Sequence, residues 1–300
     1  VILFMRSNFV VGQAGIIGAI AILLLAKSIT FLTALSTSAI GTNMQVRGGG
    51  AYYLISRVLG PEFGGAIGIM LFLAQGVSVP FYVLGFTEAL TQTFPALRGH
   101  AQIVALVTAA GLFIVTYIGA GWAIKVQYGI MAVLAASIFA FMAGSALRFS
   151  PVNFVANLQP DFTAIASGDP SRGTFSFWMV FAIYFPAVTG IMAGINMSGD
   201  LKDPAKSLPR GTLAAILVGL VVYLVQILIS GGAFTRERLM GEPYLALKEN
   251  ALFQLGFLVA AGMFAATLSS GLSSFMGAPR VLQAVARDGI LGVLRPFARG

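Results

Sequence analysis

Apolar positions fill the chain in long, almost uncharged runs, separated by short clusters of Gly, Pro and charge. Read as helices, they predict a partial span over residues 1–11, then spans near 14–41, 63–95, 101–120, 122–147, 176–198, 211–233 and 252–286. A helix needs about 20 residues to cross a hydrocarbon core roughly 30 Å thick, and each of the later runs is long enough. Some exceed that length, so tilt or an extension beyond the bilayer is expected. A single signal segment cannot produce this recurrence. The sequence opens inside an apolar stretch at Val1 and closes in a basic loop over 294–300, a pattern that reads as a fragment of a longer membrane protein.

Composition agrees. Hydrophobic residues make up 58% of the chain and charged residues 9%, with a mean hydropathy of +0.91, a balance foreign to soluble domains. The fold class expected is all-α, a polytopic membrane protein. A formal charge of +8 would suit nucleic acid, but the 18 Lys and Arg lie scattered in short loops and form no basic face. Cysteine is absent and His100 is the only histidine. Disulfides, thiolate nucleophiles, Cys-His transition-metal sites and Ser-His-Asp catalysis are thereby excluded, so no catalytic residue is assigned and no enzyme is expected.

The positive-inside rule orients the stack. With Arg6 and Lys27 set aside at membrane depth, one side collects ten basic residues, among them Arg47, Arg57, Lys125, Lys202, Lys206 and Arg210, and the other collects six. The loops over 41–62 and 199–210 are thus expected in the cytoplasm, and those over 148–175 and 234–251 outside. The 148–175 loop, the longest polar stretch, reads as an extracellular joint between a first half, 1–147, and a second half, 176–300.

Within 176–198, the run Phe185-Pro186-Ala187-Val188-Thr189-Gly190-Ile191-Met192-Ala193-Gly194 puts one proline and two glycines at mid-membrane depth. Proline removes an amide donor and glycine tolerates non-helical dihedrals, so a helix would break here. Freed amides of one half-helix could hold an anion and freed carbonyls of the other a cation. The alternative is a plain proline kink, with Gly190 and Gly194 as a small-residue packing pair.

Ser269 and Ser270, after Ala266 and Thr267, supply hydroxyls in the last span. Uncharged oxygens suit hard alkali cations, although such hydroxyls also bond back to their own helix or bridge two helices. Arg6, Lys27 and Glu88 would each cost about 2.5–3.5 kcal/mol at the bilayer centre, so they must snorkel, pair or face water. Arg6 and Glu88, opposite in sign and toward the outer ends of their spans, suit a pair across an outer vestibule, whereas Lys27 has no evident partner.

Three other motifs read as structural. Gly60, Gly64 and Gly68 form a row suited to close helix packing. Arg47-Gly48-Gly49-Gly50 lacks the strand and Gly-Lys-Ser/Thr of a phosphate loop and reads as a cytoplasmic hinge. The sequon Asn196-Met197-Ser198 falls at a cytoplasmic helix end and should carry no glycan.

Beyond single motifs, ordered stretches along the chain resemble the cation-chloride cotransporters of the amino acid-polyamine-organocation superfamily. They include Val10-Val11-Gly12-Gln13-Ala14-Gly15, Leu35-Ser36-Thr37-Ser38-Ala39-Ile40, Arg47-Gly48-Gly49-Gly50-Ala51-Tyr52-Tyr53-Leu54-Ile55-Ser56-Arg57 and Leu59-Gly60-Pro61-Glu62-Phe63-Gly64-Gly65. Further on are the 185–194 run, Ser198-Gly199-Asp200-Leu201-Lys202-Asp203-Pro204 and Gly277-Ala278-Pro279-Arg280. The resemblance implies inverted five-helix repeats of the LeuT-like kind, with this chain holding the second half of helix one through helix eight. The unwound part of helix one would lie before Val1.

What the resemblance implies for sites is specific. Val1 and Ile2 would offer amides to one chloride, and Gly190, Ile191 and Met192 to another. Tyr82, Pro186 and Thr189 would line a potassium site. Ala266, Ser269 and Ser270 match a sodium site, and Arg6 with Glu88 an outer gate pair. The partners implied are the ions and the lipid bilayer of the cell membrane; no cofactor is implied, nucleic acid is not a partner, and a homodimer is compatible with the reading. The paired serines look like the sodium-coupled branch, while Val1-Ile2-Leu3-Phe4 and 188–194 look like the potassium-chloride branch. An amino acid or polyamine permease on the same fold, or a membrane subunit that transports nothing, are the rival readings.

Overall fold

The computed structural model describes residues 2–43, 50–118, 120–162, 174–196, 201, 203–241 and 243–298. They are helical with no strand among them: α1 (Ile2–Met5), α2 (Ser7–Asn43), α3 (Gly50–Leu59), α4 (Pro61–Thr93), α5 (Ala101–Ile118), α6 (Ala120–Ala146), α7 (Pro151–Ala156), α8 (Phe177–Tyr184), α9 (Ile191–Asn196), α10 (Pro204–Ala233), α11 (Arg236–Gly241), α12 (Pro243–Glu249) and α13 (Gly256–Arg287). Among the described residues six stretches are long and apolar enough to cross a membrane: Ser7–Asn43, Pro61–Thr93, Pro95–Ile118, Lys125–Ala146, Pro204–Ala233 and Gly256–Arg287. The protein is an all-α, multi-pass membrane protein. Large apolar side chains stand exposed on these helices, Leu106 and Val107 of α5 among them, as a lipid-facing surface requires.

The spans follow the apolar runs, and the differences have local causes. The span expected at 211 begins at Pro204 instead, because Asp203 accepts the Lys206 amide at 3.4 Å and Pro204 starts the helix without a donor. The last span starts at Gly256, after a 3-10 turn in which Phe253 and Gln254 take φ of 52° and 58°. The loops contain helices that the hydrophobic pattern did not announce: α3, α7, α11 and α12. Arg47, Gly48 and Gly49 of the expected hinge lie outside the described residues.

Two compact units divide the chain. The first takes residues 1–30, 130–189 and 216–266. Its core includes Phe4, packed edge-on against Phe141 at 5.6 Å, and Tyr184, packed likewise on Tyr223. Gln226 of α10 donates to the Leu3 carbonyl at 2.8 Å and ties α1 down. α2 is kinked at Gly15, which takes φ 65° and ψ 175°. The kink frees backbone groups that find partners on the chain after α7: Ile16 N–H donates to Asn157 O at 2.8 Å, Ile17 N–H to Leu158 O at 3.2 Å, and Asp161 N–H to Gln13 O at 3.0 Å. Asn157 is itself buried and its amide donates to the Gly231 and Phe234 carbonyls, both at 2.8 Å. Arg236 completes the clasp by donating to the carbonyls of Gly12, Ala156 and Gln159.

The second unit takes residues 31–129, 190–215 and 267–300. The glycine row behaves as expected at two of its three positions. A Cβ on Gly64 would stand 2.4 Å from Ser56 Cβ, and one on Gly68 2.6 Å from Tyr52 Cδ2, so α3 lies directly on α4. Gly60 meets nothing within 4 Å and serves the turn instead, with φ 92° ahead of Pro61. At the far end of α13, Asp288 receives the Tyr52 hydroxyl at 2.7 Å and the Arg57 guanidinium at 2.8 Å.

Substituting Gly64 by Val should cost about 1–3 kcal/mol through overpacking against Ser56. Gly76→Ala, on the same helix with nothing within 4 Å of the new methyl, should cost nothing. Melting of the detergent-solubilised complete protein, followed by size-exclusion fluorescence, should fall by several degrees for the first variant and hold for the second.

Candidate functional site

The helix break expected at 185–194 is present. α8 ends at Tyr184, residues Phe185–Val188 form a single 3-10 turn around Pro186, and Thr189 is extended at φ −76° and ψ 170°. Gly190 then turns the chain at φ 100°, a conformation that a side chain strongly disfavours, and α9 starts at Ile191. A packing kink would have kept helical dihedrals through Gly190. In the first unit, the hydroxyl of the exposed Thr189 donates to the Pro186 carbonyl at 2.9 Å. In the second, the amides of Ile191 and Met192 occupy the first turn of α9, where no intrahelical carbonyl precedes them.

A second polar cluster lies wholly within the second unit. On α13 the Ser269 hydroxyl donates to Gln127 Oε1 of α6. Gln127 Nε2 donates to the Ser269 carbonyl at 3.3 Å and to Ser273 Oγ at 3.2 Å, and the Ser273 hydroxyl donates to the Ser269 carbonyl at 2.9 Å. One residue on, Ser270 is hydrogen-bonded to the Tyr82 hydroxyl of α4. A bare Gly271 admits this approach: a Cβ there would stand 3.6 Å from Tyr82 Cβ and 3.1 Å from Leu112 Cδ1. The apolar cluster of Val83, Leu112, Leu272 and Met276 backs the hydroxyls. Tyr82, Ser269 and Ser270, all named through the family resemblance, thus lie in one neutral, oxygen-rich neighbourhood. Among the described residues no group of three His, Cys, Asp or Glu could hold a metal ion.

The other sequence-derived residues stand as follows. Val1 lies outside the described residues, and Ile2 opens α1. Arg6 is exposed at the junction of α1 and α2. Glu88 is exposed on α4 and accepts from Gln92 at 3.3 Å. Ala266 is half-buried on α13. Asn196 of the sequon is 4% exposed, with Gly50 and Gly277 pressed against it, which leaves no room for a glycan.

Lys27 now has a structural explanation. Its side chain is 9% exposed, and Nζ lies 2.9 Å from where a Cβ on Gly219 would stand, so the missing side chain on α10 makes the groove that holds the lysine stem. Sequence reasoning missed Gln127, Gln226, Asn157 and Arg236. The first two were readable as lone amides inside apolar spans, whereas the partners of the last two are backbone carbonyls, which no side-chain pattern marks.

The family model described as amino acid permease matches residues 1–299. Solute carrier family 12 member 2 of Mus musculus is 37% identical across an alignment taking in 100% of this chain and 28% of the relative. Solute carrier family 12 member 1 of Homo sapiens is also 37% identical, with 100% and 31% covered, and member 2 of Danio rerio is 35% identical, with 100% and 30% covered. The chain therefore spans less than a third of the length of these curated relatives.

The Lys27 groove makes a direct prediction. Gly219→Leu should fill it and lower the melting point of the complete protein by several degrees, by overpacking and by displacing a buried ammonium. Lys27→Met, similar in volume and uncharged, should leave melting unchanged or raise it, and together with Gly219→Ala should lose less than Gly219→Ala alone.

Proposed function

The chain belongs to the amino acid permease family, and on that premise we propose that it stands in the cation-chloride cotransporter branch and carries chloride together with potassium, either with sodium or without it, across the cell membrane by alternating access. The family is one of transporters and not of enzymes. The observation that carries the proposal is the break at Thr189–Gly190: two short helical ends separated by an extended residue and a left-handed glycine, in a segment of otherwise apolar side chains. Peptide dipoles freed at such a break are what remains to bind ions where charged side chains are too costly.

The roles are those that the family resemblance implies, and the groups on offer suit them. The amides of Gly190, Ile191 and Met192, as well as those of Val1 and Ile2, are donors fit for chloride. The Pro186 carbonyl and the hydroxyls of Thr189 and Tyr82 are oxygen ligands fit for potassium. The hydroxyls of Ser269 and Ser270, and the Ala266 carbonyl, are ligands fit for sodium. Arg6 and Glu88 would act as charged groups at the outer entrance. A second reading, supported by the name of the matching family model, puts a substrate carboxylate on the Gly190–Met192 amides in place of chloride.

Rubidium uptake by the complete protein decides between these. With gluconate for chloride, uptake should collapse; with N-methylglucamine for sodium, a fall assigns the sodium-coupled branch and indifference the potassium-chloride branch. Uptake indifferent to chloride would remove the cotransport reading, and amino acid uptake in its place would establish the permease. No uptake of either kind, with the protein at the surface, would favour a subunit without transport.

Tyr82→Phe should raise the half-saturating rubidium concentration several-fold while leaving the chloride dependence near wild type, because it removes one oxygen ligand and no amide. An unchanged rubidium affinity would reject Tyr82 as a ligand.

A further inference from the structure

A serine inside a helix ordinarily returns its proton to the carbonyl one turn back. Ser273 does so, donating to the Ser269 carbonyl at 2.9 Å. Ser269 does not: its proton goes sideways to Gln127 Oε1 on α6. The same glutamine sends both N–H donors back to α13, to the Ser269 carbonyl and to Ser273 Oγ. Both N–H donors and the oxygen of one amide thus engage one turn of one helix.

That arrangement has an electrostatic consequence. The Ser269 carbonyl already accepts from Gln127 and Ser273, which weakens it as a cation ligand. The Ser269 hydroxyl oxygen keeps its lone pairs, and their direction is fixed because the proton is held by Gln127. A hydroxyl can ligate a cation only with its proton turned away from the ion. Packing alone gives no reason for the glutamine: a half-buried amide among apolar spans is unfavourable unless its bonds are made, and a leucine would fill the volume without that requirement.

We propose that Gln127 is a positioning residue for a small alkali cation at Ser269, clamping the hydroxyl proton so that the oxygen presents its lone pairs to the ion. The inference rests on the cotransport reading only in naming the cation as sodium. Gln127 acts through Ser269 and touches no ion itself, as groups behind a metal ligand commonly do, where their loss weakens affinity by about 10- to 100-fold.

The test is the sodium activation curve of rubidium uptake by the complete protein at saturating potassium and chloride. Gln127→Leu should raise the half-saturating sodium about tenfold, with the chloride half-saturation unchanged and the rate at saturating sodium recovered. Gln127→Glu, which keeps the acceptor, should hold the sodium half-saturation at or below wild type. Ser269→Ala should shift it as Gln127→Leu does, and the double variant no further, because both remove the same oriented oxygen. If Gln127→Leu fails to reach the surface, Gln127→Met serves in its place.

An unchanged sodium curve in Gln127→Leu, or single-variant shifts that add in the double, would overturn the proposal. So would wild-type uptake that needs chloride but ignores sodium, an outcome that leaves the cotransport reading standing. Uptake that needs sodium but ignores chloride, with the Gln127 shift intact, would sustain the proposal and remove cotransport.

Discussion

A backbone group inside a bilayer must find its hydrogen bond within the protein, and the architecture of this chain follows from that requirement. Long helices meet it by themselves. Each interruption has to be compensated, and the Gly15 kink shows how completely: the amides of Ile16 and Ile17 and the carbonyl of Gln13 are taken up by backbone groups of 157–161. That segment is held in turn by Asn157 and Arg236, which donate to backbone carbonyls, with Arg236 also 3.9 Å from the Asp161 carboxylate. A polar stretch that looked like a mere connector is therefore what makes the kink affordable.

The break at 185–190 is a different case. Its hydroxyl and carbonyl bond locally, Thr189 to Pro186, and the first turn of α9 begins without a helical predecessor for its amides. One interruption in the chain is thus closed by protein and another presents its own groups. For a transporter this contrast has a physical logic. A break sealed on both sides fixes a helix angle, whereas under the proposed function a break with groups in reserve would exchange water for an ion.

The spans and the broken helix were legible in the sequence because apolar length and Pro-Gly placement act locally. The family resemblance read from ordered motifs is borne out by the comparisons. Two of the three glycines of the 60–68 row were read correctly, and Gly60 was not, since its role is a dihedral angle and not a surface. Gln127 was overlooked for a plainer reason: a single amide in an apolar run has no period, and its meaning appears only when the turn of α13 carrying Ser269 is set beside it. The helices of the loops escaped because they are short and their apolar faces are narrow. In α3, Ala51, Tyr52, Leu54 and Ser56 are buried while Arg57 stays in solvent.

That short helix also shows how little a salt bridge explains by itself. Arg57 and Asp288 approach to 2.8 Å, but the Arg57 side chain is 43% exposed, and a screened pair of this kind contributes little stability. Tyr52 is fully buried and donates to the same carboxylate at 2.7 Å. Burial first, and the Asp288 carboxylate second, raise the Tyr52 phenol above its ordinary value. A raised value means that the folded protein holds the proton more tightly than the unfolded chain. The stabilisation is therefore complete below about pH 10, the ordinary phenol range, and is lost only above it. The phenol remains a donor at every physiological pH, so the buried hydrogen bond anchors α3 to the end of α13, and the exposed arginine adds direction to a contact already made.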